Sequence, residues 1–243
     1  DGLLAFAGYL MWADVVETAE QDARPVPVEH GPGRIVPLTL GGGGGSGAGA
    51  ASPVIDGLAT PLRAGDAVLS RHVAPLPDRP GTVLWYEHQG GSRLVLRARV
   101  LLASRPCGAL AFANEGARLR PAPRDDGGLR FRLHPGTPSV TFHCAGAVFV
   151  ERPAWRGVRY APAPRAGIAA GREGQGGGRE PGARAGPGVA AAAAGLWTPE
   201  EDLPSPGFFF TILRRPGAVA RIAAVADDGP APALVSSPPE ASP

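Results

Sequence analysis

LRFRLHPGTPSVTFHCAGAVFV, residues 129–150, is the clearest two-stranded signal in the chain. Leu129, Phe131 and Leu133 alternate with Arg130, Arg132 and His134, the period of a half-buried strand. Pro135 to Pro138 supply a turn, and Val140, Phe142 and Cys144 alternate on its far side with Thr141 and His143. Antiparallel pairing about that turn predicts Leu133 opposite Val140, Phe131 opposite Phe142 and Leu129 opposite Cys144. Arg132 then lies across from Thr141, and Arg130 across from His143. This register gathers the apolar side chains on one face, and a one-residue slip would turn one arm's apolar set outward. Cys144 is accordingly expected as a small buried hydrophobe.

Similar patterns extend in both directions. Val148–Val150 continues the second arm past Gly146, which reads as a bulge. Upstream, TVLWYEH (82–88) and RLVLRARVLLA (93–103) predict another hairpin about Gln89–Ser92. In its longer arm Leu94, Leu96, Ala98, Val100 and Leu102 share one face, while Arg93, Arg97 and Arg99 share the other. Ala109–Ala113 reads as a shorter strand, as do Arg34–Leu40, Val54–Ile55 and Ala67–Ser70, with Pro75, Pro77 and Pro80 marking a loop. GFFFTILR (207–214) and AVARIAAV (218–225) add two strands about Arg215–Gly217. Three adjacent phenylalanines cannot share one sheet face, so Phe208–Phe210 predicts a strand buried on both sides. Thr198 and Glu201 have capping-box spacing around Pro199, which predicts one helical turn cut short by Pro204.

Residues 3–22 carry the chain's one substantial helical pattern. Leu4, Met11, Val15 and Ala19 fall on a stripe, Asp14, Glu17 and Gln21 lie opposite, and Pro25 ends it. The expected fold class is therefore all-β, an antiparallel β-sandwich or barrel with one N-terminal helix at about 3–22. Residues 1–160 and 196–226 read as a single β-rich domain. GGGGGSGAGAASP (41–53) reads as a flexible Gly-rich insertion, 161–195 as a low-complexity disordered insertion and 227–243 as a flexible tail.

Composition narrows the chemistry. The chain has 243 residues with 36 Gly and 28 Pro, and its 24 basic residues are all arginine. A coding sequence rich in G and C explains that bias, as in a GC-rich bacterium, a green alga or a large DNA virus. The arginines alone are thus no argument for phosphate binding. The lack of lysine does exclude a Walker-type phosphate loop, a Schiff-base enzyme and a protein-kinase site, since each needs one. No run approaches the roughly 18 apolar residues of a membrane-spanning helix. Gly2–Trp12 is apolar but short and lacks the basic start of a signal peptide. The chain opens on Asp1, which suits a fragment or a processed product and leaves localisation open.

Charge is unevenly spread. Residues 1–92 hold 5 Arg against 10 acids, 93–160 hold 12 Arg against 4, and 161–243 hold 7 against 8. The basic block coincides with the two best hairpins, and Arg93, Arg97, Arg99, Arg130 and Arg132 project from their expected outer faces. These five are the candidate residues for binding an anionic partner, an acidic protein or nucleic acid. The competing expectation is self-neutralisation, with Asp14, Glu17, Glu20 and Asp22 laid across the arginines.

Catalytic spacings are absent. His143 and Cys144 point to opposite faces of a strand, the remaining histidines lack ligand spacing, and no metal or cofactor is expected. Asp125–Asp126 and Asp227–Asp228 precede glycines and read as turns. Glu87–His88 near Ser92 is a nucleophilic candidate that depends on geometry. SVTFHC (139–144) and WYEHQGG (85–91) echo immunoglobulin strands, but Trp85 precedes both cysteines, which reverses that family's order. A dUTPase-type nucleotide hydrolase would suit the strand count, yet VIDGL (54–58) is a poor substitute for its motif. The expectation is a non-enzymatic β-rich structural or interaction module, such as a viral coat, scaffold or regulatory protein, with homo-oligomers allowed. The alternative is a hydrolase whose Asp66, His72 or His143 meet in a deep pocket.

Overall fold

Period-two alternation governs the computed structural model, which describes residues 3–6, 9–39, 54–107, 109–159 and 200–226. The three low-complexity stretches expected at 41–53, 161–195 and 227–243 lie outside the described residues. Those described form strands and turns with no helix: β1 (Leu4–Phe6), β2 (Tyr9–Gln21), β3 (Arg24–Val26), β4 (Val28–His30), β5 (Arg34–Thr39), β6 (Val54–Ala64), β7 (Ala67–Pro75), β8 (Gly81–Gly90), β9 (Leu94–Pro106), β10 (Ala122–Pro123), β11 (Leu129–Phe131), β12 (Val140–Ala145), β13 (Val148–Arg159), β14 (Glu200–Leu213) and β15 (Val219–Val225).

They build two antiparallel sheets. A six-stranded sheet runs β1-β2-β9-β14-β13, with β3 also on β2. A nine-stranded sheet runs β10-β11-β12-β15-β8-β7-β6-β4, with β5 also on β6. The sheets stay open, so the architecture is sandwich-like and not a closed barrel. Val15, Leu96, Val100 and Phe209 of the smaller sheet meet Leu62, Leu84, Phe142 and Ile222 of the larger one in a common core. Trp12 and Phe142 close it edge to face, with ring centres 5.2 Å apart.

The residues expected as an N-terminal helix are instead strands β1 and β2. Bulges at Leu10/Trp12 and Trp12/Asp14 place Met11, Trp12 and Ala13 consecutively in buried positions, which imitates a helical stripe. Beyond them Val15, Glu17 and Ala19 turn inward, and the buried carboxylate of Glu17 disguises the alternation. Val15, Val16 and Thr18 are β-branched and favour the extended form. The start of the helical turn expected at Thr198 and Pro199 lies outside the described residues, and its continuation is corrected, because Glu200–Leu213 is strand throughout. Ala109–Ala113, expected as a strand, lies outside any strand.

In the 129–150 stretch the faces are as expected and the register differs by two. Leu129 pairs with Phe142, Arg130 with Thr141 and Phe131 with Val140. A shift of two preserves side-chain parity, so Phe131, Val140 and Phe142 still enter the core. Leu133 leaves the strand for a longer connection. Cys144 is exposed rather than buried, and its thiol lies 3.2 Å from the Ala147 carbonyl.

Two expected continuities are sheet crossings. Strands β8 and β9 do not pair: β8 lies between β7 and β15, while β9 lies between β2 and β14. The chain crosses at Gly91, whose φ of +87° suits glycine, and a Cβ there would stand 2.3 Å from the Asp66 carbonyl oxygen. Gly146, expected as a bulge, likewise carries the chain from β12 to β13 in the other sheet, at φ +72°. Phe208–Phe210 behave as expected. Phe209 enters the core, and the flanking rings lie on the opposite face.

Candidate anion-binding site

The outer face of the six-stranded sheet is where charge collects. Along β9, alternation sends Leu96, Ala98 and Val100 into the core and Arg97 and Arg99 outward. Next to β9, β14 sets Phe208 opposite Arg99 and Phe210 opposite Arg97. The guanidinium carbons lie 5.7 Å and 5.9 Å from the centres of those rings, each cation over its cross-strand aromatic. One strand further out, β13 brings Arg152 alongside, at the irregularity between Glu151 and Ala154. Together Thr18, Glu20, Arg97, Arg99, Arg152 and Phe208 line a hollow of about 410 Å³.

The acidic N-terminal segment neutralises this face in part. As the strand neighbour of β9, β2 presents Glu20, whose Oε1 accepts from Arg97 Nη1 at 2.6 Å. That hydrogen bond holds the Glu20 carboxyl below the usual range. Among the described residues Arg99 forms no ion pair with an acid. Its Nη1 donates to Ser205 Oγ at 3.1 Å and to the Arg152 carbonyl at 3.3 Å. Desolvation, and after it the charges of Arg152 and Arg156, lower the Arg99 pKa.

The five arginines singled out in the sequence fall into separate places. Arg97 and Arg99 are together in the hollow, and Arg93 is exposed in the connection leading into β9. Arg130 pairs with Thr141 on the outer face of the nine-stranded sheet, across the sandwich, and Arg132 is exposed just beyond β11. Arg152 and the aromatic floor were not singled out. The signal for Phe208 was its place in the FFF run. Arg152 gave none, since its approach depends on how β13 crosses between sheets.

Other polar groups serve elsewhere. Glu17 lies between the sheets with its side chain 1% exposed, where Tyr86 Oη donates to Oε1 at 2.7 Å. Arg71 Nε stands 3.4 Å from the same oxygen, and His30 Nε2 lies 3.7 Å from Oε2. Arg105 grips the buried Glu201 with two donors, at 2.7 and 2.8 Å. Asp126 makes the turn expected of it, with Oδ1 accepting from Gly128 N at 3.0 Å.

The Glu87–His88–Ser92 candidate does not assemble. Ser92 Oγ donates to Asp66 Oδ2 at 2.7 Å, while His88 Nε2 meets the Ser92 carbonyl at 3.0 Å. A carbonyl only accepts, so this nitrogen carries the proton and cannot act as a base on the hydroxyl. His72 stacks on Trp85 at 4.8 Å on the outer face of the larger sheet. His143 lies on β12 and Asp66 in the β6–β7 turn, and neither the hollow above nor a second one of about 370 Å³ near Ser104 is lined by His72, His143 or Asp66. Among the described residues no three His, Cys, Asp or Glu side chains gather as a metal site, and no helix is long and apolar enough to cross a membrane.

Compared with known proteins, the chain matches no family model, no curated protein and no solved structure.

Proposed function

We propose that this protein is a non-enzymatic β-sandwich interaction module, of scaffold, coat or regulatory type, that engages an anionic partner through the outer face of its six-stranded sheet. The observation behind this reading is the convergence of Arg97, Arg99 and Arg152 on one hollow where Glu20 is the single carboxylate among the described lining residues. Like charges repel, and holding them together costs free energy that an arriving anion recovers. Phe210 and Phe208 hold Arg97 and Arg99 over their rings, which favours an arrangement formed before a partner arrives.

Retention on immobilised heparin tests the reading. The protein should elute at a salt concentration that falls when Arg99 and Arg152 are both replaced by alanine, because each phosphate or sulfate contact contributes to the salt dependence. Retention that ignores salt, or that survives the double substitution unchanged, would overturn it.

A further inference from the structure

Resting on that reading, we propose that the hollow is a site for one phosphomonoester group, of the kind carried by a phosphorylated side chain, and not for a length of polyanion. The charge count favours a dianion. Among the described residues that line it, three guanidinium groups and one carboxylate leave two positive charges, the complement of a phosphomonoester carrying about −1.5 to −2 at neutral pH.

Donor geometry agrees with that count. Arg99 spends Nη1 on Ser205 and the Arg152 carbonyl, and its remaining nitrogens have no partner among the described residues. The Arg152 guanidinium likewise has no hydrogen-bond or ion-pair partner among them. These two side chains rise from β9 and β13, which flank β14 and so stand roughly 10 Å apart at the backbone. Long side chains leaning in from both flanks above Phe208 can close on one tetrahedral group, with the planar forks supplying paired donors.

Arg156 on β13 adds charge near Arg99, but the basic surface is bounded in other directions, which argues against a polyanion track. Arg130 belongs to the other sheet and faces away on the far side of the sandwich, so no stripe continues from the hollow toward it. Glu20 bounds the hollow on the β2 side. At about 410 Å³ it accommodates a single group with its flanking atoms.

Fluorescence anisotropy on the full chain tests this with four labelled probes: a short Gly/Ala peptide bearing phosphoserine, the same peptide with serine, the same with glutamate, and a single-stranded DNA oligonucleotide. The phosphoserine peptide should bind at least tenfold tighter than the serine and glutamate peptides. Arg99→Ala and Arg152→Ala should each weaken it by about tenfold. Glu20→Gln should strengthen it by releasing Arg97, and Arg130→Ala should leave it unchanged. Competition by free O-phosphoserine would identify the group itself as the ligand, and binding of the peptide without such competition would identify its phosphorylated-peptide context. Equal binding of the phosphoserine and glutamate peptides overturns the proposal. If DNA binds with a steep salt dependence while the phosphopeptide does not, the broader anionic-partner reading stands and this one falls. If no anionic probe binds, both fall.

Discussion

Tyr86 of β8 donates a 2.7 Å hydrogen bond to Glu17 of β2, joining the two sheets through a buried carboxylate. Arg71 lies 3.4 Å from the same carboxylate oxygen, with its Nε lacking a hydrogen-bond partner. Removing the acid strands a buried cation, so Glu17→Ala should cost about 3–5 kcal/mol in urea unfolding. Tyr86→Phe should cost about 1–3 kcal/mol, since it leaves the carboxylate short of a donor. Replacing all three groups by apolar ones, as Glu17→Leu, Arg71→Met and Tyr86→Phe together, should cost less than Glu17→Ala alone. A triple variant weaker than the single one would show that the polar contact contributes net stability.

The same pair sets an alkaline limit. Burial, followed by the Glu17 charge, raises the Tyr86 pKa well above its ordinary value. An acid whose folded pKa is raised loses its proton first in the unfolded chain, so stability declines as pH climbs past about 10. Denaturation midpoints taken from pH 8 to 11 should fall for the natural protein and fall less for Tyr86→Phe. Equal declines would remove Tyr86 as the cause.

His72 and His143 set the acid limit. Burial lowers both pKa values, against the raising influence of Glu87 on His72 and of Asp126 on His143, while Arg124 and Arg79 add to the lowering at His143. For a base with a depressed folded pKa, the unfolded state takes the proton first. Stability is therefore full above about pH 6.5 and is lost as pH falls from there through the lower folded values. His143→Gln and His72→Gln should each flatten the decline in urea midpoint between pH 7.5 and 5.5. A slope unchanged in both variants would place the acid sensitivity elsewhere.

What was legible followed side-chain parity. Alternation assigned Arg97 and Arg99 to the outside and Leu96 and Ala98 to the inside, and parity survived a two-residue difference in the register of β11 on β12. The FFF run announced a strand covered on both faces, and those outer rings became the floor beneath the arginines. Parity is silent about which sheet a strand joins. A Gly-containing turn looks the same whether the chain reverses within a sheet, as at Gly65 between β6 and β7, or crosses to the other, as at Gly91. Arg130 and Arg99 were thus grouped on one expected surface although they lie on opposite sides, while Arg152 went unnoticed beside Arg99. Glu17 obscured β2 for a related reason, because a carboxylate in an inward position is tolerated only through partners on a distant strand.

That difference between turning and crossing has a measurable consequence in adjacent glycines. Gly90 is paired with Val68 at the end of β8, and a Cβ there would meet nothing within 4 Å. Gly91 has φ +87°, and its Cβ would lie 2.3 Å from the Asp66 oxygen and 2.7 Å from Ala67 Cα, both backbone atoms. Those atoms lie at the end of the β6–β7 turn and the start of β7, where Asp66 also accepts from Ser92 Oγ at 2.7 Å and from the Gln21 amide. Any shift to admit a methyl group at Gly91 would loosen the contacts of Asp66 with both the crossing and the end of β2. Gly91→Ala should therefore destabilise by more than about 1 kcal/mol, whereas Gly90→Ala should stay within about 0.5 kcal/mol of the natural protein. Urea unfolding of the two variants side by side measures this, and equal midpoints would mean that the crossing at Gly91 does not need a left-handed residue.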